Sequence, residues 1–414
     1  MSVKILFINT NRYHFPPVVP LGMEYLAGEL SKTRHQFEVC DLCFSSDVDN
    51  DIQTAITRFH PDVIGITVRQ IDTALFQNNE YFLPDIKRIV AGCGKSGCKT
   101  ILGGSGFSIM PGEILSYTNA DIGISGPGEL ALVDLLNRLE RDEKIPRLID
   151  GYDYFAASEY HFRRTLLFDY GLYAQRGGIA GFRTQVGCDA GCLFCIEAGT
   201  RILFHPPDLV GEEIAMLKES GIEQFHLCDS EFNLKLNHAV SVCKSIIANC
   251  GSINWTLYMK PEPISEELFF YLRQSGARLI TLSLNSMDDN FGSVEKFCDC
   301  ASRYRIKIAV DLSTGFPDEH TDSLERAVGF LDSMEVSTVG VNSYYRIYPG
   351  TGLHDLIKKD ESLRRFSVNG TCSDTLLEPV FYHSFTDDCI RKAIGDRKKF
   401  RVEGFEKATN YQRV

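Results

Sequence analysis

Residues 177–195, "GGIAGFRTQVGCDAGCLFC", contain the reading that decides the fold. The run "GGIAGFRTQVG" reads as a short strand opened and closed by glycine. Directly after it stand Cys188, Cys192 and Cys195, at a C-x3-C-x2-C spacing. A structural zinc site takes four protein ligands, and no histidine inside the loop completes such a set. A [4Fe–4S] cluster normally takes four thiolates. With three, one iron stays open and can chelate a small molecule through an amine and a carboxylate. Spacing alone does not separate zinc, plain thiols and an open cluster. The context favours the cluster, because the loop follows a strand and its Gly187, Ala190 and Gly191 are small enough to let it wrap one.

Downstream of this loop the alternation is regular. Strand candidates are "GGIAGFRTQVG", "QFHLCDSEF", "NWTLYMKP", "ARLITLSLNS", "IKIAVDLSTG" and "VSTVGVNSYYRI". Helical patterns such as "LVGEEIAMLKESG" and "DSLERAVGFLDSM" lie between them. Six strands with helical crossovers predict a (β/α)6 partial TIM barrel over 177–354, with chemistry gathered at the carboxyl ends of the strands. The cysteine loop follows the first of those strands.

Upstream, residues 1–145 alternate in the same way. The strand "VKILFIN" precedes a helix with Met23, Leu26, Ala27 and Leu30 on one face. Further strands are "FEVCDL", "DVIGITV", "KTILGG" and "ADIGISG". This predicts an α/β, Rossmann-like (flavodoxin-like) domain whose ligand lies outside the strand ends. Two glycine turns mark those ends: Gly103, Gly104, Ser105 and Gly106 after the fourth strand, and Gly126, Gly128 and Glu129 after the fifth. Glycines there let backbone approach a bulky ligand, or simply make tight turns. No G-x-G-x-x-G follows the first strand, so a dinucleotide is not favoured. Residues 146–176 read as an ordered, aromatic-rich connector, and 355–414 as a short C-terminal extension. In that extension "LLEPVFYHS" is a possible extended segment and "RKAIGDRKKF" a solvated basic helix.

The chain has 414 residues, room for two domains. Its formal net charge of -12 argues against nucleic acid or an anionic membrane surface as the main partner. No apolar run reaches a membrane span, and "MSVKILFINTN" lacks a signal pattern, so a cytoplasmic location is expected. Beyond the loop, Cys40, Cys43, Cys93, Cys98, Cys228, Cys243, Cys250, Cys298, Cys300, Cys372 and Cys389 are scattered, as reduced thiols serving as small apolar residues would be. Cys40 and Cys43 form a CxxC with no second pair beside it.

With Phe194 at the aromatic position before its last cysteine, the loop resembles that of the radical S-adenosylmethionine enzymes. The resemblance implies that Cys188, Cys192 and Cys195 hold a [4Fe–4S] cluster whose open iron binds S-adenosylmethionine, and that one electron cleaves it to a 5′-deoxyadenosyl radical. It further implies cofactor contacts from Phe194, from Asp229, Ser230 and Glu231 in "CDSEFN", and from Ser283 and Asn285 in "LSLNS". "STGFPDE" and "RIYPGTGL" resemble the family's fifth- and sixth-strand motifs.

The upstream stretches "PPVVPLGMEYLAGEL", "DVIGITVRQID", "GGSGFSIMPGEIL" and "DIGISGPGEL" resemble the cobalamin-binding branch of that family. This implies cobalamin contacts from Thr67, Arg69 and the two glycine turns. The D-x-H-x-x-G motif that supplies a histidine to cobalt in some B12 proteins is absent, and His14, His35 and His60 lie in other contexts. The implied cobalamin is therefore His-off, with Arg69 crowding its lower face without ligating, since a guanidinium stays protonated.

The implied function is a cobalamin-dependent radical methyltransferase acting on a carbon (or phosphorus) centre of a small molecule. An external one-electron reductant of the flavodoxin or ferredoxin type is expected. Tyr258, Lys260, Tyr344 and Arg346 are expected near the site. The alternatives are an enzyme of the same cofactors performing a cyclisation or rearrangement, and a cofactor-binding sensor with a degenerate barrel.

Overall fold

The computed structural model describes residues 2–155, 160–287, 290–370, 375–405 and 408–414, so Cys372 lies outside the described residues. The chain divides into two compact units, one of residues 1–73 and 80–178, the other of 74–79 and 179–414.

The first unit is a parallel sheet of β1 (Lys4–Asn9), β2 (Gln36–Asp41), β3 (Val63–Thr67), β4 (Lys99–Gly103), β5 (Ile122–Ser125) and β6 (Leu148–Asp150). Their order is β2-β1-β3-β4-β5-β6. The first connections are α1 (Leu21–Leu30), α2 (Val48–Phe59), α3 (Leu83–Gly94), α4 (Pro111–Thr118) and α5 (Glu129–Glu140). After β6 the chain makes α6 (Tyr170–Gln175). The central strands β1 and β3 are buried almost end to end, as expected for strands covered on both faces. Local signals set the helix ends. Asp47 caps α2 by accepting from Asn50 N at 3.1 Å, and His60 closes it at φ 50°. The strand order reverses between β1 and β3, the place where open α/β sheets bind ligands.

The second unit is built on β7 (Ala180–Phe182), β10 (Gln224–Leu227), β11 (Asn254–Met259), β12 (Ala277–Asn285), β13 (Lys307–Ser313) and β14 (Thr338–Asn342), all parallel and adjacent in chain order. The short pair β8 (Gln185–Val186) and β9 (Leu203–Phe204) brackets the cysteine loop. Helices α7 (Pro207–Glu219), α8 (Leu236–Cys250), α9 (Glu266–Ser275), α10 (Phe291–Arg303) and α11 (Thr321–Ser333) return the chain between strands. Helix α9 shows the local logic: Ser265 accepts from Leu268 N at one end, and Gly276 closes the other at φ 93°. A Cβ at Gly276 would lie 1.8 Å from Ile253 O, so only glycine lets the helix turn into β12.

The barrel departs from the sequence reading in three places. "GGIAGFRTQVG" is two strands, β7 and β8, because Asp229 captures the backbone between them. "VSTVGVNSYYRI" is likewise divided: β14 stays in the large sheet, while β15 (Tyr345–Arg346) joins β16 (Ser367–Val368) and β17 (Phe381–Tyr382) in a small antiparallel sheet. The extension is not merely a solvated basic helix. After α12 (Gly352–Lys359) and α13 (Asp387–Ile394), β18 (Phe400–Val402) pairs parallel with β14 as a seventh strand. Arg401 then donates to Thr338 Oγ1 and Asn410 Oδ1, and Asn410 donates to Thr281 Oγ1 and Asp311 Oδ1. The residues after β18 thereby reach β12 and β13.

Candidate active site

The cysteine loop follows β8 and is held by several backbone hydrogen bonds. Cys188 N donates to Thr200 Oγ1 at 3.0 Å, Thr200 N to Cys188 O at 2.9 Å, and Gly199 N to Ala190 O at 3.0 Å. Leu353 N, at the start of α12, donates to Leu193 O at 2.9 Å, so "RIYPGTGL" grips the loop between its second and third cysteines. Phe194 lies 5.0 Å from the Tyr345 ring and 5.8 Å from the Phe316 ring, centroid to centroid. It anchors the loop to the segments after β13 and β14. Gly187 sits at φ 86° with its Cβ position 2.2 Å from Arg201 O, so the turn into Cys188 admits glycine alone.

Burial raises the Cys188 and Cys195 thiols, and each is raised further by the neighbouring cysteines. The three sulfurs therefore share one field. Among the described residues no three His, Cys, Asp or Glu side chains converge closely enough to hold a single metal ion. A cubane places each thiolate on a different iron, and the loop's donor set of three cysteines suits that arrangement with one iron left open.

The segment after β10 separates its acidic residues. Asp229, 5% exposed, accepts from Thr184 N at 2.8 Å, Gln185 N at 3.2 Å and Thr184 Oγ1. Both its oxygens thus accept from the β7–β8 corner. Ser230 donates to Glu197. Glu231 is different. Its carboxyl, 7% exposed, lies beside Ser283 and within the field of Lys260 and Cys188, and its Oε2 has no partner among the described residues. Burial pushes it up to about 7. Lys260 Nζ stands 3.8 Å from Cys192 Sγ. Asn285 accepts from Met287 N at 2.9 Å and, with Lys260, lines a cavity of about 310 Å³. Tyr258 is within the barrel beside His226, at 5.9 Å between rings. Arg346 is spent on structure: 4% exposed, it donates to the carbonyls of Ile347, Leu376 and Leu377. Tyr344 stacks between Phe76 and His383.

Burial also pushes Asp311 up to about 6. Its folded value lies above the unfolded one, so the folded chain keeps a proton that the unfolded chain gives up. The resulting destabilisation is absent below about pH 4, grows to about pH 6 and is constant beyond. His226, held down to about 4 by burial, has the opposite slope, so a variant comparison isolates the carboxyl. Asp311→Asn should gain on wild type by about 2 kcal/mol between pH 4 and pH 7. Urea unfolding followed by the single tryptophan, Trp255 on β11, reads this. A pH-independent difference would contradict the assignment.

In the first unit, the strand ends at the reversal of order are polar and tightly built. Thr10 Oγ1 donates to Thr67 O at 2.6 Å, and Asn11 N to Asn9 Oδ1 at 3.1 Å. Arg69 donates to Gln70 Oε1 at 2.5 Å, while its carbonyl accepts from Ser105 Oγ and Gly106 N. Two buried amide groups, Asn11 Nδ2 and Gln70 Nε2, have no acceptor among the described residues. Such donors are what a polar ligand at the switch point would satisfy.

The glycine turns are close-packed against their neighbours. A Cβ at Gly104 would lie 2.7 Å from Val68 O, and one at Gly106 2.7 Å from Gln70 Cα. These glycines let the β4 turn approach the β3 turn. Gly103 has only ordinary contacts. Gly126, at φ 73°, packs against Tyr152, and Gly128 precedes α5 beside Leu26. Glu129, 3% exposed, accepts from Tyr160 OH. Two imidazoles of this unit are engaged, His14 at Cys43 O and His35 at Val3 N and Asn137, while His60 closes α2 through its backbone N–H.

The B12 binding domain family matches residues 16–136, nearly all of them in the first unit. The tryptophan 2-C-methyltransferase of Streptomyces laurentii is 22% identical over 470 residues, covering 91% of this chain and 78% of its own. The radical S-adenosylmethionine methyltransferase TsrM from Kitasatospora setae, solved with tryptophan and an S-adenosylmethionine analogue, superposes at a TM-score of 0.88. Its identity is 21%, with 99% of this chain and 93% of that one covered. OxsB, a cobalamin-dependent S-adenosylmethionine radical enzyme solved with both cofactors, gives 0.71 at 14% identity, covering 95% and 66%. Over nearly its whole length the chain shares the fold of these cobalamin-binding radical S-adenosylmethionine enzymes.

On this fold the strand ends hold several residues that the sequence motifs do not announce. Asn11 and Gln70 follow apolar strands as the polar ends of "FINTN" and "VRQ", a signal open to reading. Asn233, fully buried, has none. It donates to Lys260 O and Pro263 O and accepts from Lys260 N, which sets the turn after β11.

Proposed function

We propose that the protein is a cobalamin-dependent radical S-adenosylmethionine methyltransferase that methylates a carbon (or phosphorus) centre of a small molecule. The observation that carries this reading is the three-thiol loop after the first barrel strand, in a chain whose other unit matches a B12 binding domain. When bound, cobalamin supplies the methyl carrier, and the cluster with S-adenosylmethionine supplies one-electron chemistry.

The protein's own residues have definable parts. Cys188, Cys192 and Cys195 would hold the cluster, and the Leu193–Leu353 hydrogen bond and the Phe194 ring keep their loop in place. Glu231 offers one free buried oxygen beside Cys188, Ser283 can contact the same ligand, and Asn285 borders the neighbouring cavity. Asn11 and Gln70 would donate to cobalamin, with Thr67 and Arg69 beside them. With His14 and His35 engaged elsewhere and no D-x-H-x-x-G motif in the sequence, the His-off state is the one we favour. A one-electron donor of the flavodoxin or ferredoxin type completes the proposal.

The test is anaerobic incubation with trideuteromethyl-labelled S-adenosylmethionine, hydroxocobalamin, a reductant and candidate small molecules, read by mass spectrometry. The expected product carries one labelled methyl group. An unlabelled isomer, or a product two hydrogens lighter, would replace methylation with cyclisation or rearrangement.

A further inference from the structure

We propose that Lys260 is a tuning residue for the cysteine-bound cluster, its ammonium group raising the reduction potential by standing against Cys192. The inference rests on the cluster reading given above.

Three observations carry it. First, Lys260 Nζ lies 3.8 Å from Cys192 Sγ, within reach of an N–H···S contact, although 68 residues separate the two in sequence. Second, the position is imposed by backbone as well as by a long side chain. Asn233, 0% exposed, donates to Lys260 O at 2.9 Å and accepts from Lys260 N at 3.0 Å, and its amide also donates to Pro263 O at 2.8 Å. A fully buried side chain using both ends of its amide on one residue fixes where β11 releases that lysine. Third, the surroundings are otherwise acidic. Glu231, 7% exposed, and Glu197, which accepts from Ser230, are the acidic side chains of this region.

The physical consequence has a definite sign. Three thiolates on a cubane make the oxidised site anionic, and reduction adds one more negative charge. Net charge and hydrogen bonds to the sulfurs are among the main determinants of such potentials. A cation held at one sulfur stabilises the reduced form more than the oxidised one, and it acts more strongly where protein rather than water surrounds the pair. Lys260 also borders the 310 Å³ cavity, so a carboxylate entering there would compete for the same charge and pull the potential down.

The experiment is an EPR-monitored titration with dithionite of the anaerobically reconstituted full-length protein, without S-adenosylmethionine. In it the cluster takes one electron per step from dithionite, which is oxidised. Lys260→Leu should shift the midpoint to more negative potential with iron and sulfide content unchanged, and Lys260→Arg should stay near wild type. If the leucine variant takes up less iron, Lys260→Gln, which keeps a polar head without the charge, serves in its place. A midpoint unchanged in a neutral variant of full iron content would overturn the role of Lys260. Failure of the wild type to bind about four irons per chain would instead overturn the cluster reading itself.

Discussion

Replacing Cys192 by alanine is expected to reduce reconstituted iron from about four per chain to below one. Methyl transfer should fall by roughly a thousandfold or more, the scale seen when a member of a catalytic unit is removed. Two remaining thiolates cannot cover three irons, and Glu231 is buried on the Cys188 side. The loss should be local. Thr200 bonds Cys188 from both sides, Leu353 holds Leu193, and Phe194 is packed on Tyr345 and Phe316, none of which involves the Cys192 sulfur. Circular dichroism and Trp255 fluorescence should therefore match wild type, and cobalamin should still bind. Iron analysis with the visible spectrum of added hydroxocobalamin reads both halves. Wild-type iron content in this variant would remove Cys192 from the ligand set.

Gly104→Ala should do the reverse, lowering cobalamin affinity while leaving iron uptake intact. Gly104 has φ 107°, a region L residues rarely adopt. Its added methyl would also meet Val68 O at 2.7 Å and Thr67 Oγ1 at 2.9 Å. Neither can retreat easily. Val68 N donates to Gly103 O at 2.7 Å, Phe107 N to Val68 O at 3.2 Å, and Thr67 O holds Thr10. Backbone strain and overpacking together amount to about 3 kcal/mol. If the β3 turn yields instead, Arg69 and Gln70 move, and affinity falls by about a hundredfold. Titration with hydroxocobalamin, paired with a thermal melt, distinguishes displaced contacts from a melted domain. Wild-type affinity and stability together would mean that the close approach of the two turns has no bearing on the ligand.

These two variants also mark how far local pattern carried the reading. Cysteine spacing, the strand before it and the aromatic at position 194 are contiguous, so they are legible without a fold. So are the apolar strands of the first sheet and the helix faces between them, because period and capping are properties of short windows. The glycines at 104 and 106 were visible as exceptional, but their reason was not. What they accommodate is the neighbouring β3 turn, some 36 residues away in the chain for Gly106 and Gln70.

Side-chain allegiance lay beyond the sequence for the same reason. "CDSEFN" offers Asp229 and Glu231 as equals. The backbone N–H groups of Thr184 and Gln185 claim the first and leave the second an open oxygen, a decision made by where β7 lies against β10. Strand β18 was hidden because three residues inside a basic stretch show no period of their own; it exists by pairing with β14.

The sequence by itself determined the chemistry available: three thiolates on one loop, in a barrel preceded by a second α/β unit. Only the tertiary structure decided which charges face that chemistry. Lys260 follows β11 whereas Glu231 and Asn233 follow β10, and the fields and hydrogen bonds that tune a site depend on distance in space, not along the chain.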